Sequence, residues 1–125
     1  MKPKLFRFRN LFAMVLFAGA LTTLAIAHNK LMKTEPAAGA ILTASPSHLE
    51  MWFEEKPDLT VSKIAVKGPA GAVGMGPLHA NTEKSMVADF KGKLANGQYA
   101  VSWQTAGDDS HVSKGEFSFS VKSAQ

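Results

Sequence analysis

A histidine at position 28 and the triplet Asp109-Ser110-His111 are the residues of this 125-residue chain best suited to hold a metal ion. The chain has no cysteine, which removes zinc–thiolate sites and cysteine nucleophiles and leaves metal chemistry to His, Met, carboxylates and a chain terminus. Residues two apart in extended chain face the same side, so Asp109 and His111 can converge on one ion. His28 gains a second donor if the chain is cut just before it. Its α-amine, with an ordinary pKa of about 8, then closes a six-membered chelate ring with the Nδ1 of the same residue. Two imidazoles, an amine and a carboxylate suit tetragonal Cu(II) better than zinc or a hard, oxygen-seeking cation. Each segment alone also has an ordinary reading, as an accidental histidine or a solvated Asp-x-His loop. The chemistry depends on the two meeting at one end of the fold.

The cut is written into the sequence. Lys2, Lys4, Arg7 and Arg9 form a positive cluster, an apolar run follows from Leu11 to Leu24, and Ala25-Ile26-Ala27 supplies the small residues of a cleavage site. A spanning helix needs about 20 apolar residues, and this run is shorter. Residues 1–27 therefore read as a secretory signal peptide, and 28–125 as the exported domain with no membrane anchor after cleavage. The formal charge of +4 lies wholly in that leader. From 28 onward ten lysines balance ten acidic residues and no arginine remains. Nucleic acid and anionic membrane surfaces, which call for a basic patch, are thus not expected partners.

The elements that must position these donors are strands. A domain of 98 residues buries roughly two-thirds of its unfolded surface, enough for one core. Phe117, Phe119 and Val121 alternate with polar residues, as do Tyr99, Val101 and Trp103 after an Asn96-Gly97 turn. Met86, Ala88 and Phe90 form a third set, Ile64 and Val66 a fourth, and Leu49, Met51 and Phe53 a fifth. A short opening strand at Leu31 to Thr34 brings the total to six or seven, punctuated by prolines and glycines. The fold class is all-β, and two packed antiparallel sheets are the economical arrangement. Leu94 to Tyr99 fits either a tyrosine corner of a Greek-key sandwich or a plain hairpin turn before a core aromatic.

These residues resemble the CopC-type periplasmic copper-resistance proteins along nearly all of the exported part. His28-Asn29-Lys30-Leu31 with Thr34-Glu35-Pro36-Ala37-Ala38-Gly39 is similar to the family's opening motif. Leu49-Glu50-Met51-Trp52-Phe53-Glu54-Glu55 is similar to its Leu-x-Phe-Ser-Glu strand, and Gly97-Gln98-Tyr99-Ala100-Val101-Ser102-Trp103 to its Gly-x-Tyr-x-Val-x-Trp. Asp109-Ser110-His111, Gly115 and Phe117 fall on its Asp-x-His-x-x-x-Gly-x-Phe segment without a gap. Gly107, where a serine is common, and Val112, where a proline is common, depart from the pattern without removing a donor. The resemblance implies an immunoglobulin-like or cupredoxin-like sandwich that binds Cu(II) through His28, Asp109 and His111. Glu55 matches a glutamate near the ion in some members, with Glu54 as its neighbour.

Some members also carry a methionine-rich loop suited to Cu(I). Met75, His79 and Met86 fall there, a thin donor set, with Met86 expected in the core and Met75 and His79 exposed on a loop. His48, at a strand start, reads as a surface residue. Three function classes follow: a monomeric periplasmic copper carrier or store serving a membrane copper transporter, a histidine-brace oxidative enzyme, and a metal-free immunoglobulin-like module. The enzyme would need a flat substrate face and an open coordination position, which a small domain with a carboxylate ligand does not favour. The carrier, with no catalytic residues, is the reading the sequence favours.

Overall fold

The computed structural model describes residues 29–124. The leader and His28 lie outside the described residues. Strands β1 (Leu31–Glu35), β2 (Ile41–Leu42), β3 (His48–Phe53), β4 (Lys63–Gly68), β5 (Gly71–Ala72), β6 (Ser85–Asp89), β7 (Gly97–Ala106) and β8 (Val112–Val121) follow in order, with a 3₁₀ turn at Leu59–Val61 between β3 and β4. They form a three-stranded sheet, β1-β3-β6, and a five-stranded sheet, β2-β8-β7-β4-β5. Five of the six longer strands are those marked by alternation, and the sixth, β1, is the expected opening strand. The two-residue strands β2 and β5 are too short to carry a period. Among the described residues no helix is long and apolar enough to cross a membrane.

Period-two alternation turns into burial as one face of each sheet closes on the other. Leu49, Met51 and Phe53 of β3, with Met86 and Ala88 of β6, meet Tyr99, Val101 and Trp103 of β7 and Phe119 and Val121 of β8. Burying each large aliphatic or aromatic side chain of this kind contributes roughly 1.5–3 kcal/mol. One cluster gathers Leu49, Val66, Phe90, Leu94, Tyr99, Val101, Phe119 and Val121. A second holds Met51, Phe53, Met86 and Trp103. Phe53 and Trp103 meet edge to face in the second, with centroids 5.3 Å apart. Both lie a few residues from the segments that carry Glu55 and the 107–111 loop.

The tyrosine corner is present. Tyr99 donates its hydroxyl proton to the carbonyl of Ala95 at 2.7 Å, and its ring stacks on Phe119 at 5.4 Å. Gly115 has an equally local reason. It pairs with Trp103 across β7 and β8, and a Cβ there would stand 2.6 Å from the indole ring. The glycine makes room for the tryptophan.

Two details depart from simple alternation. Glu50, opposite in phase to the core residues of β3, is nonetheless only 5% exposed. The segment after β5 pairs with the outer edge of the three-stranded sheet through Met75–Phe90 and His79–Val87, and Asn81 then donates to the Glu50 carboxylate at 3.3 Å. In β1 the register steps between Leu31 and Lys33, so Met32 bulges outward and is 58% exposed.

Candidate metal centre

Strands β7 and β8 form one long hairpin, paired from Gly97–Val121 to Ala106–Val112, and residues 107–111 are its connection. The connection is a tight turn in which Ser110 donates its N–H to the carbonyl of Gly107 at 3.2 Å. Ser110 has a φ of 65°, the left-handed region that side chains other than glycine seldom adopt. Asp109 and His111 are therefore not on one face of a strand, as extended chain would put them. The turn brings them together instead.

Asp109 holds His111 at two points. Its Oδ1 accepts the His111 backbone N–H at 3.0 Å, and its Oδ2 lies 3.3 Å from the His111 Nδ1. The backbone bond is the main reason the Asp109 carboxyl sits below the ordinary carboxylate range. Slight burial pushes the other way, and the imidazole adds to the lowering. A proton on Nδ1 would face this carboxylate, which only accepts, and would leave the lone pair of a neutral ring on Nε2. A carboxylate so placed steadies the ring for a metal, and to be a ligand itself Asp109 would have to turn from Nδ1 to the ion.

Glu55 reaches the same loop from the chain following β3. Its Oε1 accepts the backbone N–H of Asp108 at 3.2 Å. Gly107 is buried against it, and a Cβ at that position would collide with the Glu55 carboxylate. The glycine admits the carboxylate to the loop, a physical reason for this departure from the common serine. The intervening segment is tied down as well. Asp58 donates its N–H to the carbonyl of Ala106 at 2.9 Å, and the hydroxyls of Ser62 and Thr105 share a buried bond of 2.7 Å.

The beginning of the described chain docks at this point. Asn29 donates from Nδ2 to the carbonyl of Glu55 at 3.0 Å and accepts the Glu55 N–H on Oδ1 at 2.8 Å. Glu54 in turn donates to the carbonyl of Lys30 at 2.9 Å. The residue after His28 is thus fastened beside Glu55 and Gly107. Asn29 carries no signal in the sequence, because a lone polar residue near a cleavage site has no period and no motif.

The other histidines and methionines lie elsewhere. Met86 is wholly buried in the second core cluster, and His79 is exposed at the sheet edge, bonded through its backbone to Val87. Met75 is half-buried against the first cluster, not exposed, because its pairing with Phe90 turns the side chain onto the core. Met75 and Met86 thus pack on different clusters. His48 is exposed beside Ser47. Among the described residues no three His, Cys, Asp or Glu side chains are grouped to hold a metal.

A model of the CopC domain matches residues 31–122. The chain belongs to the CopC family. It is 30% identical to the protein called copper resistance protein C of Xanthomonas campestris pv. juglandis, across 94% of this chain and 100% of that one. It is also 30% identical to protein YobA of Escherichia coli K12, across 89% and 93% of the two chains. Among solved structures it resembles PcoC, a methionine-rich copper resistance protein from Escherichia coli, with a TM-score of 0.70 and 26% identity over 77% of this chain and 100% of PcoC. CopC from Methylosinus trichosporium OB3b gives a TM-score of 0.69 at 25% identity, over 78% and 97%. The β-sandwich is the fold of this CopC family.

Proposed function

We propose that this CopC-family protein is exported to the periplasm, loses residues 1–27, and holds one Cu(II) with His28, Asp109 and His111. Copper is its cargo, which it sequesters or carries, and an inner-membrane copper transporter is the recipient suited to a carrier. The protein acts as a monomer and catalyses no reaction. Support comes first from the names of its relatives, which are copper resistance proteins.

The observation that carries the reading is local. Asp109 and His111 are joined across a tight turn, and Asn29, one residue beyond His28, is bonded to Glu55, whose carboxylate caps the same turn. Asn29 is thus a fixed point beside the turn, and His28 is joined to it by one peptide bond. A nitrogen-rich donor set with one carboxylate favours Cu(II). Glu55 is the fourth candidate ligand, available if its carboxylate leaves the Asp108 amide.

The testing experiment is a copper titration of residues 28–125 against a competing chelator, with oxygen consumption followed under a reductant. One copper per chain and no sustained oxygen uptake is the expected result. Steady turnover of oxygen would instead favour a histidine-brace enzyme.

A further inference from the structure

We propose that Asn29 is the positioning residue of the metal centre, delivering the chain end to the 107–111 turn before any metal arrives. The proposal rests on the copper reading above and adds a role to a residue that offers copper no donor. Asn29 is only 2% exposed, and its amide forms a closed pair of bonds with the main chain of Glu55. Lys30 accepts from Glu54, and Leu31 pairs with Phe53, so three consecutive residues are laced to 53–55. Gly107 lies against the same place, with the Cβ of Asn29 3.4 Å from where its own would stand.

A new chain terminus ordinarily frays unless it is tied down. Here the tie is a side chain that completes the ladder where the backbone pairing of β1 and β3 has ended. It leaves residue 28 a single peptide away from a fixed point, so few torsions remain to be frozen when its amine and imidazole bind. Ordering that is complete before binding does not weaken affinity. Glu55 belongs to the same device. Its main chain holds Asn29 and its carboxylate holds Asp108, so one residue sets the terminus and the turn in mutual register.

The experiment compares the protein starting at His28 with its Asn29→Ala and Asn29→Asp variants, well below their unfolding temperatures. Copper affinity is read by chelator competition, and the nitrogen coupling by electron paramagnetic resonance. Hydrogen exchange at the Asp108 amide is read without metal. Asn29→Ala should bind copper about 10–100-fold more weakly, the range for residues that orient metal ligands. Its nitrogen coupling should change, and the Asp108 amide should exchange faster. Asn29→Asp keeps an acceptor for the Glu55 N–H and should lose less; it carries the comparison if Asn29→Ala does not fold. A variant that melts earlier yet binds copper with the parent's affinity and spectrum would make Asn29 merely structural and overturn the proposal. Failure of the parent itself to hold copper would overturn the copper reading, and is seen before either variant is compared.

Discussion

Asp109 and His111 are joined twice, once through the His111 backbone N–H at 3.0 Å and once through its Nδ1 at 3.3 Å. The carboxylate therefore sets both the path of the chain and the tilt of the ring. His111→Ala should weaken copper by more than about 100-fold, since it removes a donor outright and outer-shell losses already reach that range. Asp109→Ala should cost less than that, because the carboxylate donor is lost while the nitrogen donors, which Cu(II) prefers, remain. His48→Ala, on an exposed strand start, should change nothing. Chelator competition on the three variants checks all of this at once.

Acid should release copper through the nitrogen donors. Asp109 is held below the ordinary carboxylate range, so it stays ionised while amines and imidazoles take up protons. Affinity should fall steadily as pH drops through about 8 to 6, where those groups ordinarily protonate. Asp109 should lose its charge only at lower pH still. The lowered pKa also means that its contribution to folding is present above its unfolded value, near about 3.9, and is lost as pH falls through the folded value. Copper affinity that stayed flat between about pH 8 and 6 would contradict this order.

Gly115→Ala should destabilise the fold without touching a metal donor. The added methyl would press on the Trp103 indole, which Phe53 backs from within the core. Overpacking of this kind costs about 1–3 kcal/mol. Urea denaturation should show a lower midpoint with an unchanged slope, and copper affinity of the folded protein should match the parent.

Tyr99→Phe removes the hydroxyl that donates to Ala95 while leaving the ring on Phe119. A net hydrogen bond of this type is worth about 1 kcal/mol. Thermal unfolding should register that loss. A change in copper binding would be unexpected, since Tyr99 lies at the far end of β7 from the 107–111 turn.

The long strands were legible because each buries one face, and burial of one face imposes period two on the residue types. Trp103, Phe119 and Met51 all follow from that rule. Glu50 escapes it because a segment well downstream supplies Asn81 as its partner. Asp109 and His111 could be picked out as candidate donors from their types and spacing, but the reason they meet could not. That reason is a left-handed Ser110 and a side-chain-to-backbone bond, neither of which has a periodic trace. The Asn29–Glu55 pairing spans 26 positions and leaves no mark in either local sequence.

Removing residues 1–27 should itself create the copper site, by turning the His28 amide into an amine. The direct measurement is a chelator-competition titration of Cu(II) into protein starting at His28 and into the same protein with one methionine before it. The processed form should take up one copper per chain. The extended form should bind more weakly by about 2–4 kcal/mol, a large part of the order of 10 kcal/mol that a tight metal site commands. Equal affinities with identical copper spectra would contradict the amine as a ligand, and would leave two histidines and a carboxylate as an ordinary surface site.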